Sequence, residues 1–103
     1  MATVVLLGTL DTKGVEYDYL RKHIQQAGCE TILIDAGVKG RPLAQPDITR
    51  EEVAAAIGVQ VKELAAQGDR GAAIITMAHG ATSIVLDLFA QGRLDGTLAG
   101  VGQ

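Results

Sequence analysis

Aromatic residues are almost missing from this chain: no tryptophan, two tyrosines and one phenylalanine among 103 residues. With 48% of the residues hydrophobic, the interior must be built from Val, Ile, Leu and Ala, a composition that favours α/β architecture. Cysteine occurs once, at Cys29, which excludes an intramolecular disulfide framework and a cysteine cluster for zinc. Basic residues neither dominate nor cluster. Nine Lys and Arg stand against twelve Asp and Glu, for a net charge of -3, and this argues against an electrostatic nucleic-acid footprint. The N-terminus shows no charged leader with a cleavage site, and no apolar run approaches membrane-spanning length. The expectation is therefore a cytoplasmic protein with neither a nucleic acid nor a membrane as partner. Internal repeats and low-complexity segments are lacking too.

What is present reads as strand, turn and helix. Thr3 to Leu7 is continuously apolar after Thr3, as a parallel strand buried on both faces requires. After Gly14 the apolar positions Tyr17, Leu20, Ile24 and Ala27 recur at helical spacing, and Gly28 supplies a C-terminal stop. A second apolar run, Thr31 to Ile34, ends in Asp35 and Gly37 and completes a right-handed βαβ unit. Lys39 to Asp47, with Gly40, Pro42 and Pro46, reads as an irregular connection. Thr49 and Glu52 fit a capping box ahead of the helical stripe Val53, Ile57, Val61 and Leu64, which Gly58 should bend or break. Ala72 to Gln91 is apolar over much of its circumference and predicts a largely buried helix. Thr97 to Val101 predicts a third strand, ending in Gly100 and Gly102. The expected fold is a three-layer α/β, Rossmann-like half-domain: one domain with a short parallel sheet of about three strands flanked by helices. Such a half leaves an apolar surface exposed, so the chain is expected to be a fragment of a longer protein or an obligate oligomer.

The stretch Gly8-Thr9-Leu10-Asp11-Thr12-Lys13-Gly14 joins the first strand to the first helix, the junction where α/β proteins hold anions. It is neither a Walker A sequence nor GxGxxG. Gly8 permits close backbone approach, Thr9 and Thr12 offer hydroxyls, and Lys13 offers a cation beside the positive end of the helix. Asp11 beside phosphates needs Mg²⁺, a ribose hydroxyl or the loop's own N–H groups as partner. The alternative is plain helix capping by Asp11 or Thr12, with Lys13 solvated. Asp35 stands about 20 residues beyond the first turn, where a Rossmann acidic residue grips a ribose. It can equally be a turn-forming Asp before Gly37. Arg70, in Gly68-Asp69-Arg70-Gly71, opposes the macrodipole at a helix start, which motivates an anion role against a surface pairing with Asp69. With strand order 2-1-3, the loops after the first and third strands, the latter bearing Gly100 and Gly102, flank one crevice.

In fixed order, GTLDTKG (8 to 14), LIDAGV (33 to 38), DITREEVAAAIG (47 to 58), GDRGAA (68 to 73) and GRLDGTLAGVG (92 to 102) resemble the N-terminal part of the Tm-one-like ATP-binding proteins. The resemblance covers essentially the whole chain. It implies an adenine nucleotide, ATP with or without Mg²⁺, bound at the C-terminal ends of the strands. Gly8, Thr9 and Lys13 would cradle phosphate, Arg70 would pair with it, Asp11 would orient magnesium or a hydroxyl, and Asp35 would take the ribose. The competing expectation is a non-catalytic assembly module acting through the long apolar helix and the third strand. His79, Ser83 and Asp87, four residues apart on one helix face, do not form a hydrolase triad, because the histidine is not the middle member. No catalytic nucleophile or base and no metal site made by protein ligands is predicted.

Overall fold

A computed structural model describes residues 2–93 and the backbone strand 96–100. Strand β1 (Thr3–Gly8), helix α1 (Leu10–Gln26), strand β2 (Glu30–Asp35), helices α2 (Arg50–Ala55), α3 (Val61–Gln67) and α4 (Arg70–Ala90), and strand β3 (Gly96–Gly100) follow in that order. The three strands are parallel in the order β2-β1-β3, with Gly8 in register with both Asp35 and Gly100. The expected three-layer half-domain is what the chain forms. Leu6, Leu10, Tyr17 and Leu33 are buried on the face that α1 covers. On the other face Val5 and Ile34 join Val53, Leu64, Met77 and Leu88 in the core beneath α2, α3 and α4. Alternation along β1 explains the split, since adjacent Val5 and Leu6 point to opposite faces.

Local signals account for most element ends. Thr49 accepts from Glu52 N while Glu52 reaches back to the Thr49 N–H, so the capping box forms as its spacing predicts. Gly58 and Gly68 both take positive φ; the helical stripe is cut at Gly58 into α2 and α3, and Gly68 caps the end of α3. Two expectations are corrected. First, α1 starts at Leu10 rather than after Gly14, with Thr9 as its N-cap. Gly14 lies inside the helix, and its missing side chain admits Leu43: a Cβ there would sit 2.7 Å from the Leu43 Cβ, and Leu43 donates its N–H to Leu10 O at 2.9 Å. Second, α4 is not largely buried. Its Ala73, Met77, Gly80, Ala81 and Leu88 face the core, but Ile75, Leu86 and Phe89 remain 61%, 60% and 67% exposed. By length and composition alone α4 is long and apolar enough to cross a membrane, contrary to the expectation that no apolar run approaches that length. The predicted strand to Val101 is described to Gly100; Val101 and Gly102 lie outside the described residues.

Candidate functional site

Parallel strands place the starts of α1, α2 and α4 at the C-terminal edge of the sheet, where helix dipoles concentrate positive potential. Two of these starts are filled by the chain itself. Thr49 caps α2, and the Asp69 carboxylate accepts from Ala72 N at 3.0 Å in the first turn of α4. At the start of α1 the N-cap Thr9 makes no side-chain cap bond, and Leu10 N is taken by the Asp35 carboxylate at 3.2 Å. The Thr9 and Thr12 hydroxyls bond each other at 2.8 Å, and Thr12 also donates to Thr9 O. Between this turn, the segment after β2 and the α3–α4 corner lies a cleft of about 130 Å³. Thr9, Asp11 and Thr12 form one wall, Ala36, Leu64, Ala73 and Ile74 give an apolar floor, and Lys39, Asp69 and Arg70 stand at its rim.

A buried polar cluster fixes the back of this cleft. Asp35 is 1% exposed. Its Oδ1 accepts from Leu10 N at 3.2 Å and Gly37 N at 2.9 Å, and its Oδ2 accepts from Arg50 Nε at 2.9 Å. Arg50 Nη1 donates to the carbonyls of Lys39 at 3.1 Å and Gly40 at 2.9 Å. Arg50 Nη2 and Asp11 Oδ1 face each other at 3.9 Å, and neither has a hydrogen-bond partner. Gly37 leaves the room for this cluster: a Cβ there would stand 2.6 Å from Asp11 Oδ1 and 2.8 Å from Arg50 Nη2. The Asp35–Arg50 pair therefore joins the end of β2, the start of α1 and the β2–α2 segment around one guanidinium.

The expected site residues divide accordingly. Thr9, Asp11, Thr12 and Arg70 come together in the cleft. Lys13 is exposed on the first turn of α1, and the lysine at the rim is Lys39. Gly8 is buried in the sheet, its carbonyl accepting from Ala36 N at 2.8 Å. Asp35 is committed to internal partners, which gives its carboxylate a structural task in place of gripping a ribose. Gly100 ends β3 beside Gly8, and Gly102 is outside the described residues. Arg50 was not anticipated, although an arginine at the first position of a capped helix opposes the dipole as Arg70 does. A broader depression of about 950 Å³ lies at the opposite end of the sheet, near Thr3, Cys29, Glu30 and Arg93. It is larger but is at the wrong end for α/β ligand binding, away from the helix N-termini. Among the described residues no group of three or more His, Cys, Asp or Glu could hold a metal ion.

A family model, described as the N-terminal domain of the uncharacterised protein family UPF0261, matches residues 2–103. A UPF0261 protein of Clostridium tetani is 38% identical over 96 residues, covering 93% of this chain and 24% of that protein. A UPF0261 protein of Brucella suis is 34% identical over 93% of this chain and 23% of its own length. The chain thus spans about a quarter of the length of the curated relatives it matches. These matches overturn the resemblance to the Tm-one-like ATP-binding proteins: the motifs quoted above belong to a UPF0261 domain, and nothing in the comparisons supports the other family. No solved structure matches the chain.

Proposed function

The chain belongs to the UPF0261 family, and we propose that its C-terminal-edge cleft binds the phosphate end of an adenine nucleotide such as ATP. The observation that carries this reading is the start of α1. Its N-cap, Thr9, makes no side-chain cap bond, whereas those of α2 and α4 do, through Thr49 and Asp69; the Asp35 carboxylate takes Leu10 N, which leaves the amide of Asp11 and the threonine hydroxyls for the ligand. An anionic oxygen there takes the dipole-favoured position, with the Thr9 and Thr12 hydroxyls beside it and Lys39 and Arg70 as counter-charges. The volume decides how much of the ligand enters. Pockets that enclose a whole small molecule measure about 300–1,000 Å³, so about 130 Å³ takes one phosphate or the sugar. The remainder lies over the sheet edge.

Asp11 and Asp69 both line the cleft, and Mg²⁺ typically uses one or two carboxylates together with substrate phosphates. The residues therefore fit a magnesium ion that arrives with the nucleotide; when bound, it would neutralise phosphate charge. Arg50 Nη2 stands 3.9 Å from Asp11 Oδ1, and its charge offsets part of that carboxylate's repulsion of the phosphate. No nucleophile or base is assigned, and the proposal is binding, not hydrolysis.

Titration calorimetry of the folded chain with Mg-ATP, and separately with inorganic phosphate, tests this. Saturable binding that weakens at least about tenfold in both Lys39→Ala and Arg70→Ala is expected, the loss of roughly one charged hydrogen bond each. A folded protein that takes up neither ligand at millimolar concentration, or variants that bind as the parent does, would overturn the assignment.

A further inference from the structure

The cleft is too small for a whole nucleotide. At about 130 Å³ it admits one phosphate or the sugar, and the rest of the ligand needs a surface nearby. Such a surface lies next to it. Val38 lines the cleft and also an open groove of about 620 Å³ between α2 and α3, so one side chain divides the two. Both run along α3, which gives Leu64 to the cleft and Val61 and Ala65 to the groove. The volume of the groove falls within the range of about 300–1,000 Å³ that encloses a small molecule.

The chemistry of the groove differs from that of the cleft. Of the charged side chains that line it, Glu51 and Lys62 offset each other. Arg50 is paired with Asp35 through Nε and donates to the Lys39 and Gly40 carbonyls through Nη1. Without surplus positive charge the groove is no place for a second phosphate, whose burial there would be costly. Its half-buried Val38, Val59 and Val61 suit a group with apolar faces. Gln60 adds an amide to this lining. It is the N-cap of α3 but makes no side-chain cap bond, so it presents one carbonyl acceptor and two N–H donors. That combination matches a purine edge, because a glutamine amide pairs with N6 and N7 of adenine together.

We infer that the α2–α3 groove is the base subsite of the nucleotide, with Gln60 selecting adenine, an assignment that rests on the phosphate reading of the cleft and adds a direction to it. The ligand lies across Val38, phosphate toward α1 and base toward α2 and α3. One molecule spanning both recesses accounts for the small volume of the cleft, the larger apolar groove and the wall they share. Arg50 keeps that wall in place, since Nη1 holds the carbonyls of Lys39 and Gly40 directly after Val38.

Titration calorimetry of the folded chain with Mg²⁺ and, in turn, ATP, inosine triphosphate and inorganic tripolyphosphate tests the subsite. Tripolyphosphate carries the phosphates without sugar or base, and inosine triphosphate has a carbonyl oxygen in place of the adenine N6 amino group. ATP should bind at least about tenfold more tightly than either. Ala55 lines the groove and is exposed at the end of α2, so the ring of Ala55→Phe fills the groove and should make the ATP and tripolyphosphate affinities equal. Gln60→Ala, also at an exposed position, should remove the preference over inosine triphosphate. Far-UV circular dichroism of both variants should match the parent. A parent that binds ATP and tripolyphosphate equally, or an Ala55→Phe variant that keeps the parental ratio, would overturn the base subsite and leave the cleft reading standing. A Gln60→Ala variant that still prefers ATP would overturn the role of Gln60, and a folded parent that binds none of the three ligands would overturn subsite and cleft together.

Discussion

Replacing Asp35 by Asn perturbs one atom and should remove much of the stability of the domain. The amide oxygen can still accept from Leu10 N and Gly37 N, as Oδ1 does now. The amide NH₂, however, faces Arg50 Nε, donor against donor, where 2.9 Å now separates Nε from a carboxylate oxygen. Arg50 keeps its charge with a side chain only 7% exposed, and its nearest remaining carboxylate oxygen is Asp11 Oδ1 at 3.9 Å. Breaking a buried pair in this way costs about 3–5 kcal/mol, out of a total of about 5–15 kcal/mol for a domain of this size. The melting temperature should fall by roughly 15–30 °C. Urea unfolding followed by circular dichroism measures the free-energy loss, provided the slope is unchanged. A loss below about 1 kcal/mol would refute the reasoning, because it would mean that the pair is hydrated in solution. The double variant Asp35→Asn/Arg50→Met should recover part of the loss by deleting the stranded charge.

Two further outcomes follow from packing and burial. Gly80→Ala should destabilise by about 1–3 kcal/mol through overpacking, because the new methyl would meet the Val53 backbone and not a movable side-chain tip; the thermal melt of a well-folded variant with parental stability would contradict the α2–α4 contact. Tyr17 donates to Leu7 O at 2.8 Å, so Tyr17→Phe should cost about 1 kcal/mol at neutral pH. Burial raises the Tyr17 hydroxyl above its ordinary 10.0. The folded state thus holds that proton more tightly, and the corresponding stability is complete below pH 10 and lost as pH rises through the raised folded value. An alkaline denaturation series should show this loss in the parent and lack it in Tyr17→Phe.

The strands and the α2 start were legible because their causes are local: an apolar run between polar ends, and a threonine three residues before a glutamate. The beginning of α1 was not. Gly14 reads as the end of a loop by intrinsic propensity, yet it is a glycine within a helix, kept small because Leu43, far along the chain, packs where its Cβ would be. The exposure of α4 was hidden for a related reason: composition reports that a helix is apolar all round but not how many of its sides the rest of the fold covers. At the site, the Thr9, Asp11, Thr12 and Arg70 grouping followed from topology, since helix starts gather at the strand ends. The Asp35–Arg50 pairing did not, because a carboxylate ending a strand looks the same in sequence whether it faces a ligand or an arginine 15 residues further on.

Arg50 also makes the cleft a readout of folding itself. Its bonds reach Asp35, Lys39 and Gly40, and it faces Asp11, so each segment that peels away takes its own contact with this guanidinium. A chain whose first helical turn has frayed loses the Thr9, Asp11 and Thr12 wall of the cleft together with the Leu10 N bond to Asp35. In native-state hydrogen exchange, the amides of Leu10 and Gly37, both bonded to Asp35, should open together with the sheet, and whatever the cleft captures will slow that opening throughout the domain.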